Sequence, residues 1–229
     1  MRAVGLVLVA LASAPLARAD EAPHWVGDLG LGVERTHAIA PGATDRTWAL
    51  PYAYGDLGRF FVREDTFGAK LVPGLGWGAL ELVGRVSTEG TDGDGPGLAH
   101  RRNPRPVGLG TFQETPWGGV FADAFVDTVS GGTLLEASYA VELPVGPLTL
   151  YPQAGVTRRS ARYDAHLVDV HAASTTPVLQ LSGELPLAGA WVVLAHAQWE
   201  PIAGAVRASP RVAARSRASA LFALAWRFK

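Results

Sequence analysis

Residues 216–229, SRASALFALAWRFK, alternate along their length. Ala218, Ala220, Phe222, Leu224, Trp226 and Phe228 fall on one side, and Ser219, Leu221, Ala223, Ala225 and Arg227 on the other. A period of two puts successive side chains on opposite faces and predicts a β-strand. One face is apolar and turns aromatic toward its end; the other is small and finishes on Arg227. About 10 residues is what a tilted strand needs to cross a bilayer, with aromatics where lipid meets water. The same division recurs upstream. Residues 133–143 set Leu135, Ala137, Tyr139, Val141 and Leu143 against Glu136, Ser138, Ala140 and Glu142. Residues 177–185 oppose Leu179 and Leu181 to Gln180, Ser182 and Glu184, and residues 190–200 oppose Trp191, Val193 and Trp199 to His196, Gln198 and Glu200.

Read this way, the chain carries twelve strands: 25–35, 46–55, 59–63, 66–72, 75–88, 107–114, 119–127, 133–143, 147–159, 177–185, 190–200 and 216–229. Merging the weakest neighbours gives ten. Pro51 falls inside the second strand, where it cannot donate to a ladder, and predicts a bulge. Pro73-Gly74 predicts a turn. Residues 160–176 and 201–213 read as polar loops. The connections sort by parity, brief turns at one rim and longer loops at the other, which is the layout of an outer-membrane barrel. The expected fold is therefore all-β, a single antiparallel transmembrane β-barrel. Phe222, Leu224, Trp226, Phe228, Trp191, Trp199 and Tyr139 are expected to face lipid or its aromatic girdle. Glu136, Glu142, Glu184, His196 and Arg227 are expected to face the lumen.

The amino end and the composition fit that architecture. Arg2, an apolar run over residues 3–16 and the small-x-small triplet Ala17-Arg18-Ala19 predict a signal peptide over 1–19, cleaved to leave a barrel of 20–229. Later segments fall short of the 18 uninterrupted apolar residues of a membrane helix, so a spanning chain must close as a barrel. The chain has no cysteine, which removes disulfides, thiolate metal ligands and a lipid-modified N-terminus. Its net charge of −1 gives no reason to expect nucleic acid.

Several short stretches resemble one family. They are Leu50-Pro51-Tyr52-Ala53-Tyr54-Gly55 with Arg59-Phe60-Phe61-Val62-Arg63, the turn Ser130-Gly131-Gly132, and Gly146-Pro147-Leu148-Thr149-Leu150-Tyr151-Pro152 with Tyr163. Ala208-Ser209-Pro210-Arg211-Val212 and the ending Trp226-Arg227-Phe228 complete the set. In order and spacing these resemble the MipA/OmpV family of outer-membrane proteins, with Ala208 standing where that family has an acid. The resemblance implies a non-enzymatic barrel in the cell outer membrane. It also implies a scaffold role in peptidoglycan organisation, with a periplasmic murein hydrolase or synthase as partner. It carries no catalytic residues across.

Other chemistries are open to the residues themselves. His166 and His171 share a loop with Asp164 and Asp169, the spacing of a surface metal site, although a hydrated loop explains them as well. His196 with Ser182, Glu184 and Glu200 could form a Ser–His–acid set acting on lipid, but the alternation turns them inward, where polar side chains simply solvate a barrel. Arg101, Arg102 and Arg105 could meet lipopolysaccharide phosphates or stay in water. Asp28, Glu34, Glu81, Asp123, Asp127, Glu136, Glu142 and Glu184 outnumber Lys70, Arg85 and Arg227 among inward positions. That predicts an acidic lumen and, if it is open, a small cation-favouring diffusion channel. No cofactor and no metal are expected.

Overall fold

A computed structural model describes residues 23–90 and 100–229. The signal peptide expected over 1–19, with Ala17 and Ala19, lies outside the described residues. The chain forms thirteen strand segments: β1 (Trp25–Thr36), β2 (Arg46–Leu57), β3 (Phe60–Arg63), β4 (Thr66–Leu75), β5 (Gly78–Arg85), β6 (Pro106–Thr115), β7 (Gly118–Asp127), β8 (Thr133–Ala140), β9 (Leu143–Val145), β10 (Leu148–Arg159), β11 (Ser174–Pro186), β12 (Trp191–Pro201) and β13 (Ser216–Phe228). β8 and β9 lie end to end against β10, so thirteen segments make twelve strands. Every neighbouring pair is antiparallel, and β13 pairs with β1 from Gly27↔Phe228 to Thr36↔Ser219, closing the barrel. The register advances from strand to strand by a stagger of roughly 16 residues round the wall, which tilts twelve strands by about 40°. At that tilt ten residues span about 25 Å, the height of an apolar belt.

Sequence and structure part company at the prolines. The expected bulge at Pro51 is absent: β1 and β2 pair in unbroken register from Trp25↔Leu57 to Thr36↔Arg46, with Pro51 opposite Leu31. The backbone N–H of Glu64 donates to the Ala53 carbonyl at 3.1 Å. Ala53, and with it Pro51 two residues away, therefore turns its backbone toward β3 and away from β1. The missing N–H costs the β1 ladder nothing. Pro73-Gly74 does not turn either. β4 continues to Leu75, and register shifts at Lys70/Val72 and Pro73/Leu75 absorb the proline as bulges. The turn falls instead at Gly76-Trp77.

Two segments expected as loops hold helices, α1 (Ala161–Val168) and α2 (Gly204–Arg207). Ser160 caps α1: its hydroxyl accepts from the Tyr163 N–H, the usual way of satisfying an orphan helix donor. Both helices pack inward. Tyr163, Leu167 and Val168 of α1 and Val206 of α2 join Phe125, Leu134, Ile202 and Val212 in one buried cluster at the extracellular end.

β3 is far shorter than its neighbours. It pairs only with Tyr54–Leu57 of β2 and Thr66–Ala69 of β4. Among the described residues, β2 from Thr47 to Pro51 has no ladder partner on that side. The wall is notched there, from the rim with the longer loops down to the Glu64-Asp65 turn.

Candidate functional site: the filled interior and the periplasmic rim

Alternation decides which side chains enter the barrel, and their chemistry stacks in three levels. At the end with the short turns the inward Arg227 of β13 reaches across its neighbours. Its Nε and Nη2 donate to Asp28 of β1 at 2.8 and 2.7 Å, and its Nη1 to Glu184 of β11 at 2.5 Å. Beside it Tyr52, Val192, Ala223 and Ala225 form a buried apolar cluster. Small residues on β13 are what leave room for Tyr52.

At mid-height Arg63 grips Glu81 through two bonds of 2.8 Å and lies 4.1 Å over the Phe61 ring. Arg85 pairs with Glu136 at 2.6 Å and covers Phe125 at 4.8 Å. A Gln180–Gln198 bond and a Ser182 Oγ–His196 Nδ1 bond of 2.9 Å fill the same level. Lys70 pairs with Asp56 at 2.9 Å nearer the short-turn end, beside the level of Asp28.

The level at the long-loop end is a plug. Arg159 on β10 holds Glu200 on β12 and Glu89, in the connection after β5, at 3.4 Å. Arg217 on β13 holds Glu89 at 3.2 Å, and the Tyr163 hydroxyl donates to Glu89 at 2.7 Å. Burial alone pushes the Glu89 carboxyl up, but Arg159 and Arg217 outweigh it and hold the group below the usual glutamate range. Gly132 sits under α1: a Cβ there would come within 2.5 Å of the Tyr163 nitrogen. Asp127 accepts from the backbone N–H groups of Arg105, Val129 and Ser130 and from the Ser130 hydroxyl, fixing the 128–131 turn. The Ser209 hydroxyl donates to the Val168 carbonyl at 2.5 Å, tying the end of α1 to the loop after α2.

Arg63, Arg159 and Arg217 join Lys70, Arg85 and Arg227 among the inward cations, and Asp28, Glu81, Glu136 and Glu184 each pair with a guanidinium. Arg159 was within reach of the alternation, since it shares a face with Thr157; Glu89 and Tyr163 were not, because only the loops' inward fold reveals them. Glu142 lies in the break between β8 and β9 and is exposed, rather than on a lumen-facing strand position. The Ser182–His196 pair forms, but Glu184 is committed to Arg227 and Glu200 to Arg159, so neither acid orients the imidazole as a triad needs.

The loop candidates disperse. His166 bonds the Arg102 carbonyl at 2.9 Å, Asp169 is held by Arg101 and Arg211, and Asp164 is buried on the inner face of α1. Among the described residues no group of three or more ligands could hold a metal. Arg101 and Arg105 thus serve the loop structure itself, Arg105 through its N–H to Asp127.

Outside, Phe222, Leu224, Trp226, Phe228, Trp191, Trp199 and Tyr139 are all exposed, with Trp191 and Trp226 edge-to-face at 5.3 Å. At the periplasmic rim the turns present Trp77 and Trp117, 62% and 73% exposed. The Tyr139 hydroxyl donates to the Trp117 carbonyl at 2.6 Å and braces that turn.

A family model described as MltA-interacting protein MipA matches residues 29–228, from β1 to the end of β13. No curated protein matches the chain significantly.

Proposed function

The chain belongs to the MltA-interacting protein MipA family, and on that premise we propose that it is a non-enzymatic outer-membrane barrel that holds periplasmic murein enzymes at its rim. The observation that carries this reading is the filled interior. Ion pairs, two apolar clusters and a helical plug occupy the space that a channel would need open. What remains for recognition is the periplasmic edge, where the turns are short and two tryptophans stand exposed. Exposed aromatics are common anchors at protein interfaces. The partner implied by the family's name is a lytic transglycosylase of the MltA kind; a peptidoglycan synthase fits as a second.

Recovery of a purified lytic transglycosylase on the immobilised barrel tests the proposal. The expected result is recovery above that on an unrelated barrel, reduced by Trp77→Ala and Trp117→Ala. Equal recovery on both barrels rejects the scaffold. The Ser182–His196 pair is the observation that favours a lipid-modifying reading instead. Ser182→Ala and His196→Ala are expected to leave lipid A unchanged by mass spectrometry; an altered mass would reinstate that reading.

A further inference from the structure

The plug holds a small cavity lined by Arg159, Asp164, Ser174, Glu200, Ile202 and Val206. Its volume is about 10 Å³, which is room for one water molecule.

Two polar groups at this cavity are unmatched. Asp164 is 1% exposed, and neither carboxylate oxygen has a hydrogen-bond partner. The Ser174 hydroxyl lies beside it but outside normal bond geometry. Arg159 spends Nη1 and Nη2 on Glu200 and Glu89, while its Nε–H is buried and unpartnered. Leaving such groups dry is costly, since a buried donor or carboxylate loses its hydration without return.

We infer that the cavity binds one internal water, which accepts from the Arg159 Nε–H and donates to the Asp164 carboxylate. The chemistry of the two unmatched groups selects the ligand. A cation satisfies the carboxylate but not the N–H, and it meets the Arg159 and Arg217 guanidiniums. An anion satisfies the N–H but is opposed by Asp164 and Glu200. A molecule that both accepts and donates serves both, and only one as small as water fits the space. Asp164 stands on α1 and Arg159 on β10, so this water fastens the plug helix to the wall through solvent. It acts beside the direct grip of Tyr163 on Glu89.

A high-resolution crystal structure of the full chain extracted from membranes, with Asp164→Asn and Asp164→Leu in parallel, tests the site. The expected result is one ordered water within hydrogen-bond distance of residue 164 and Arg159 Nε in the wild type and in D164N, and none in D164L, whose side chain fills the space. Deuteron relaxation dispersion gives the solution readout: one fewer long-lived water in D164L than in the other two. An empty cavity, a metal ion in it, or a direct Asp164–Arg159 Nε bond overturns the inference. So do equal counts of long-lived water in wild type and D164L. If D164L fails to fold, the wild-type and D164N densities still decide.

Discussion

Arg227 stands at the joint where the chain's ends meet, bonded to Asp28 on one neighbour and Glu184 two strands away. Asp28 is 5% exposed, so removing the guanidinium strands a buried carboxylate. Arg227→Met is expected to cost about 3 kcal/mol, read as a lower urea midpoint in refolding into lipid vesicles. Gly132→Val places its branches against the Tyr163 backbone, which cannot swing aside as a flexible side chain could. A loss of about 1–3 kcal/mol is expected from such overpacking, seen as faster amide exchange in α1 while the strands are unchanged. Glu89 gives the plug its pH response. Its folded pKa is lowered, so its contribution is fully present above the ordinary glutamate value of 4.5 and lost as pH falls through the folded value. Exchange of the Tyr163 and Leu167 amides, corrected for intrinsic rate, should rise on that acid side and stay flat above it. On the outer face, Leu224→Arg is expected to cost about 2–4 kcal/mol if Leu224 meets mid-bilayer lipid. A near-neutral result in the same refolding titration would mean that it does not.

At the scale of elements, the strands were legible because a barrel wall imposes a period of two over ten or so residues, and nothing else in this sequence competes with it. β1, β7, β12 and β13 fall within a residue or two of where their alternation places them. What escaped depends on partners that alternation does not report. Whether Pro51 breaks a strand depends on which side its backbone faces, and only the unpaired edge beside β3 settles that. The helices escaped because α1 spans just eight residues within a polar stretch, where a helical period has too few turns to register. The plug escaped for the same reason: Glu89 and Tyr163 are 74 positions apart, and a loop's inward fold leaves no periodic trace. Pro51→Val offers a test at this scale. It adds an N–H on the side away from β1, so the β1–β2 ladder should persist and stability should change by less than about 1 kcal/mol. A larger gain would show that the new N–H finds a ladder partner and that the β2 edge is paired in the membrane.

At the scale of the whole molecule, the family's short motifs converge on two ends of one interior. Ser130-Gly131-Gly132, Tyr163 and Ser209 assemble the plug, and Trp226-Arg227-Phe228 locks the closing strand. If the proposed rim scaffold is correct, this filling leaves the rim as the surface on which partners can differ. Counting inward positions from the alternation left out Arg63, Arg159 and Arg217, which pair with Glu81, Glu200 and Glu89; such pairs are expected inside a barrel, because an unpaired buried charge is far costlier than a paired one.

The short β3 also decides how this wall fails. Intuition places the weak point of a barrel where first and last strands meet, yet β1 and β13 are joined over ten residue pairs, and β2 and β3 over four. β3 and β4 are also joined over only four, so a pull applied across the cylinder, or a thermal fluctuation that peels neighbours apart, finds its rip line along β3. The Phe60–Arg63 amides should exchange with solvent before those of β13. A Leu57→Cys/Phe60→Cys crosslink at that strand should raise the rupture force more than one between β1 and β13. If β13 exchanges first, the rip line lies at the closure after all.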